Sequence, residues 1–226
     1  MKKTLVVVLV LAVAFGTAVA GDNAKPITKA GNTALMFDLG GLAALSANNY
    51  QGGLGAKYYI SNGFAVRIGL GFNSSSTTTK NPADPVPATQ LSESKYSSLS
   101  FTVAPGIQYN VASSAAVVAY VGAQVAFTMG KQERDGNANG FTVGFTKDNK
   151  YKESNSTFGG AAFVGVEWFA WDNISLAGEY RFGFTSTTGD AESTAGTTST
   201  KVDAPSTTAF GIGSGNAAAL TLSVYF

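Results

Sequence analysis

The sequence predicts an all-β protein, an eight-stranded antiparallel up-and-down transmembrane β-barrel. Three observations predict it. Apolar residues recur at every second position in eight segments, the intervening positions are mostly glycine, alanine and serine, and the connections alternate between short and long.

The N-terminus comes first. Lys2 and Lys3 precede an apolar stretch from Leu5 to Phe15, and Ala18-Val19-Ala20 supplies a small-x-small cleavage site. Residues 1–20 therefore read as a secretory signal peptide; the apolar run is too short for a membrane-spanning helix. Residues 21–32 are expected as a short periplasmic segment and residues 33–226 as the barrel. Beyond the signal no apolar run approaches the roughly 20 residues a membrane helix needs.

The strands follow in order. Leu35, Phe37 and Leu39 mark the first. Leu54, Ala56, Tyr58 and Ile60 mark the second, and Phe64, Val66, Ile68, Leu70 and Phe72 the third. The fourth alternates Leu99 to Tyr109 and the fifth Val117 to Phe127. The sixth runs from Phe158 to Trp168, the seventh from Ile174 to Phe184, and the last from Leu220 to Phe226. Strict alternation puts one set of residues on each face of a strand.

Ser61-Asn62-Gly63, Val111 to Ala115 and Trp171-Asp172-Asn173 read as tight hairpin turns. Long polar segments at about 74–95, 131–155 and 186–208 read as mobile loops on the opposite rim, rich in Ser and Thr, with Pro82, Pro85 and Pro87 in the first. A short link near Ser46 to Asn49 is the exception. Phe141-Thr142-Val143-Gly144-Phe145 alternates within one long segment, so ten strands is the alternative architecture.

Which face is wet decides between a soluble and a membrane barrel. A soluble exterior needs many Lys and Glu, yet only 13% of residues are charged and the face opposite the apolar one is small. The large residues therefore belong outside in lipid, with small residues filling a narrow lumen. Phe64, Tyr109, Trp168 and Phe226 form an aromatic girdle at the short-turn rim; Phe72, Phe127, Phe158 and Phe184 form the other. Closure lets every backbone donor and acceptor pair within hydrocarbon.

Composition excludes several functions. The chain has no cysteine and no histidine, so thiol catalysis, disulfides and a Ser-His base are absent. Loss of residues 1–20 removes two of fifteen bases, leaving thirteen against fourteen acids, a net charge of −1. That balance gives no electrostatic footprint for nucleic acid. Asp135 to Gly140 matches the first half of a calcium loop, but Thr146 stands where the bidentate acid is due, and a Gly/Asn-rich turn explains the same residues. No metal, cofactor or catalytic residue is expected.

The inward face carries Asp38, Lys57, Arg67, Glu167, Glu179 and Arg181, three acids and three bases. Unpaired ions in a narrow lumen cost several kcal/mol each, so an ion-pair plug is expected, with a gated polar path for small ions or solutes as the alternative. Glu179 lies two positions from Arg181 on the same strand and Glu167 on the neighbouring strand; cross-strand proximity favours Glu167 as its partner.

The signal peptide, the alternating strands and the final segment Ala218 to Phe226 together resemble small outer-membrane barrels of the OmpA/OmpX type. The resemblance covers nearly all of the mature chain and rests on pattern. It implies a cell outer membrane location, contact with outer-membrane lipid and lipopolysaccharide, and a charged lumen. It also implies recognition of Leu220, Leu222, Val224 and Phe226 by the barrel-assembly machinery. The chain ends at its last strand, so no peptidoglycan-binding domain is expected after it. A structural or cell-surface interaction role follows, with a surface ligand held by the long loops, and a narrow pore as the alternative.

Overall fold

A computed structural model describes residues 26–39, 50–80, 93–135, 149–195, 197–211 and 218–226. Nine strands appear among them: β1 (Thr33–Leu39), β2 (Tyr50–Ser61), β3 (Phe64–Lys80), β4 (Glu93–Ser114), β5 (Val117–Asp135), β6 (Asn149–Trp171), β7 (Ile174–Ala195), β8 (Thr198–Gly211) and β9 (Ala218–Tyr225). Each pairs antiparallel with its neighbour, and β9 returns to β1 through Ala34↔Tyr225 to Asp38↔Thr221, which closes the ring. β9 pairs with the first part of β7, Ile174 to Tyr180, and β8 with the remainder, Gly183 to Ala195. The two segments share the eighth position, so the barrel has eight strands.

Large apolar side chains face outward. Leu54, Ile68, Leu70, Phe72, Phe101, Ile107, Val164 and Phe182 are all exposed, while their chain neighbours turn into the lumen. From Tyr109 to Leu99 this band spans eleven residues of β4, ten steps or roughly 33 Å along the strand and ~25 Å in height once a barrel tilt is allowed for. At its upper edge the rings of Phe127, Phe158 and Phe184 pack in sequence, with centroids 5.1 and 5.8 Å apart. Such an exterior is stable in hydrocarbon and unstable in water.

The turns sit where polar turn chemistry allows, with one adjustment. Asn62-Gly63 and Asp172-Asn173 turn as expected, but the fourth strand runs on to Ser114 and the turn is Ala115-Ala116. Each hairpin carries a bulge on its incoming strand near the turn, at Ile60, Val111 and Ala170, so the ladder shifts between Tyr59 and Ser61, Asn110 and Ala112, and Phe169 and Trp171. The extra residue tightens the local twist.

The segments read as loops are corrected by the ladder. β3 extends to Lys80, β4 begins at Glu93, β5 reaches Asp135, and β7 and β8 pair from Thr185↔Ala209 to Ala195↔Thr198 except at a bulge between Thr187 and Gly189. Two forces extend them. Threonine favours the extended backbone, and opposite charges meet across neighbouring strands in the register row Glu133–Lys152–Glu192–Lys201. The sheet rises about nine residues, ~30 Å along β6, beyond Phe158. Residues 1–20, Ser46 to Asn49, the three prolines at 82, 85 and 87, Gly136 to Gly140 of the calcium-like motif, Thr146, and Phe141 to Phe145 lie outside the described residues.

Candidate functional site: an ion-pair plug across the lumen

Inward residues near the short-turn rim build the site. Lys57 stands five residues before the Asn62-Gly63 turn on β2, and Arg67 four residues after it on β3; they face each other in register. Glu167 on β6 and Glu179 on β7 flank the Asp172-Asn173 turn, five residues before it and six after, with Glu167 opposite Ala177 and Glu179 opposite Gly165. In a ring of eight, β2 is opposite β6 and β3 is opposite β7. The acids and bases therefore meet across the barrel's diameter.

Lys57 Nζ donates to Glu167 Oε2 at 2.8 Å and to Oε1 at 3.1 Å, with 2% and 0% of the two side chains exposed. The Ser175 and Tyr225 hydroxyls both donate to Glu167 Oε1 at 2.6 Å. A second pair lies beside the first. Arg67 Nη1 donates to Glu179 Oε2 at 2.7 Å and Arg181 Nε donates to Glu179 Oε1 at 2.6 Å. The Tyr120 hydroxyl adds a bond to Glu179 Oε2 at 3.3 Å. A buried carboxylate with this many donors recovers the desolvation cost that an isolated ion would carry.

Five of the six expected lumenal charges thus come together. Arg181 pairs with Glu179, not with Glu167 as cross-strand proximity suggested. The reason is that Glu167 is already saturated by Lys57, Ser175 and Tyr225, whereas Glu179 still presents Oε1 on the same face of β7. Asp38 lies on β1 opposite Gly53 and Thr221; its side chain is outside the described residues.

The lumen is not filled by small residues alone. Tyr59, Tyr120, Phe163, Phe169 and Tyr225 all point inward and are buried. The Arg67 guanidinium stacks 4.6 Å from the centre of the Phe163 ring, and Lys57 Nζ lies 5.2 Å from that of Tyr225. Room for the rings comes from glycine: a Cβ on Gly165 would collide with the Tyr120 ring, and one on Gly122 with Phe163. Parity puts Tyr59, Tyr120, Ser175 and Tyr225 at inward positions, but nothing in the sequence marks their hydroxyls as partners of the two acids. On β9, Thr221, Ser223 and Tyr225 are buried inside, so Leu220, Leu222 and Val224 face outward and Phe226 is 73% exposed. Among the described residues no group of three metal-ligating side chains occurs.

The family model of the outer membrane protein beta-barrel domain matches residues 28–189. The chain belongs to this outer membrane barrel family. Membership puts the barrel in an outer membrane, in keeping with its apolar exterior. Solved structures similar to this outer membrane barrel include three proteins. A major outer membrane protein from Thermus thermophilus matches at 12% identity and TM-score 0.48, over 86% of this chain and 98% of that one. Ail, the attachment invasion locus protein of Yersinia pestis, matches at 11% identity and TM-score 0.40, over 87% and 99%. OprG from Pseudomonas aeruginosa matches at 14% identity and TM-score 0.45, over 88% and 97%. Comparison with curated proteins finds no match.

Proposed function

We propose that this outer membrane barrel is a closed, non-catalytic surface protein, with a plugged lumen and an interaction role carried by the sheet that rises above the membrane. The observation that carries the reading is the crossing of the lumen by Lys57–Glu167 and Arg67–Glu179, whose side chains are at most 8% exposed. Moving a solute past them would require breaking ion pairs in a space with little water to replace them. The raised sheet, in contrast, offers long polar strands at the outer face, where a surface ligand can be met. The absence of histidine anywhere in the chain supports the non-catalytic part of the reading.

Export by a signal peptide cleaved after Ala20 fits this reading, as does recognition of Leu220, Leu222, Val224 and Phe226 by the barrel-assembly machinery. Lipid and lipopolysaccharide surround the band. The test is electrical. The purified barrel in a planar bilayer carries no stepwise current, and the combined variant Lys57→Ser/Glu167→Ser with Arg67→Ser/Glu179→Ser opens one. Steady conductance by the unaltered protein would replace this reading with the pore.

A further inference from the structure

The segment before β1 is tied to the short-turn rim. Gly63 N donates to the Thr28 carbonyl at 2.9 Å, Gly31 N to that of Tyr59 at 2.8 Å, and Ala30 N to Asn62 Oδ1 at 3.1 Å. Between these anchors and the chain's start, Ile27 packs against a buried cluster of Ala34, Tyr59, Ala65, Ala116, Val118, Phe169 and Tyr225. That cluster draws on β1, β2, β3, β5, β6 and β9 and on the β4–β5 turn. Tyr225 of the cluster also holds Glu167, so the apolar floor lies directly beneath the Lys57–Glu167 pair.

We infer that residues 26–32 form a strap that seals the periplasmic mouth of the barrel and docks only once the ring has closed. The physical reason is that the apolar surface under Ile27 is assembled from both ends of the chain. β1 and β9 meet only in the closed ring, so before closure Tyr225 and Phe169 are not beside Tyr59 and Ala65, and burying Ile27 gains little. Once docked, the strap is a second barrier between periplasmic water and the buried ion pair, independent of the pair itself. Hydrogen bonds to the β2–β3 turn fix its position but do not by themselves require closure, because that hairpin is local in sequence. The order of events therefore distinguishes the two anchors.

The chain has no cysteine, so one introduced thiol reports one place. Ile27→Cys, and Thr28→Cys as a second reporter of the strap, are followed by pulse labelling with a charged maleimide while the full chain folds from urea into detergent micelles. Ser223→Cys and Thr221→Cys, buried on β9, report closure. Thr79→Cys, exposed on β3, reports a site that stays open. The expected result is that strap thiols become protected together with or after the β9 thiols. In the folded barrel they should then react at least about tenfold more slowly than Thr79→Cys. Protection of the strap ahead of β9 would overturn docking on the closed ring, and reaction as fast as Thr79→Cys would overturn the seal.

Discussion

Tyr120 on β5 reaches across Gly165 on β6 to Glu179 on β7. The three occupy one register row, Tyr120↔Gly165↔Glu179, and the ring lies where a Gly165 Cβ would stand. The glycine is thus a slot that lets a tyrosine on one strand hydrogen-bond a carboxylate two strands away. Gly165→Ala should cost about 1–3 kcal/mol by forcing the ring off its rotamer. Tyr120→Phe, which loses only the bond to the charged acceptor, should cost about 1.5–3 kcal/mol. Reversible urea unfolding from lipid vesicles measures both, and the double variant Gly165→Ala/Tyr120→Ala should lose less than the sum of its parts.

The pairing of Arg181 makes a second test. Glu179 serves both Arg67 and Arg181, so Glu179→Leu removes the carboxylate that the two guanidiniums share and should cost about 3–5 kcal/mol. A double-mutant cycle between Arg181 and Glu179 should give clear coupling, whereas the cycle between Arg181 and Glu167 should give nearly none. The opposite ranking would mean that the plug is wired differently.

Lys57 has Glu167 as its carboxylate, and both are buried. Lys57→Met should therefore destabilise by roughly 3–5 kcal/mol, because the Ser175 and Tyr225 hydroxyls alone cannot balance a buried charge. Adding Glu167→Leu should restore part of the loss. Thermal or urea midpoints in the same vesicles measure the cost, and a value below about 1 kcal/mol, the size expected of an exposed pair, would overturn the prediction.

Leu70 and Val164 face outward near the middle of the apolar band. Leu70→Arg and Val164→Arg should each cost about 2–4 kcal/mol in vesicles. Ser74, above the band on the same face of β3, should accept arginine at little cost. Equal penalties at the three positions would contradict the placement of the membrane.

Ala115 turns with φ at 46°, in the left-handed region, without being glycine. Ala115→Gly removes that strain and should raise stability by about 1 kcal/mol, less what glycine adds to the freedom of the unfolded chain. A lowered urea midpoint would count against the turn geometry.

The barrel, its faces and its short-turn rim were legible in the sequence because a period of two survives wherever one face meets lipid and the other the lumen. Phe64, Val66, Ile68, Leu70 and Phe72 could be assigned to a face from that contrast alone. Above the membrane both faces meet water, the contrast vanishes, and paired strands such as Thr185 to Ala195 look the same as polar loops. Only the ladder, with Glu192 opposite Lys152 and Lys201, distinguishes them. The plug divides in the same way. Parity placed Lys57, Arg67, Glu167, Glu179 and Arg181 in the lumen, but it could not pair them, because closure brings opposite strands face to face. Neighbouring strands guided the expectation for Arg181, yet the barrel's diameter is short enough for Lys57 to reach Glu167 four strands away. Once that bond saturates Glu167, Arg181 is left to Glu179. Alternation along a chain determines which face a residue occupies; the distance across a closed ring decides which residues touch.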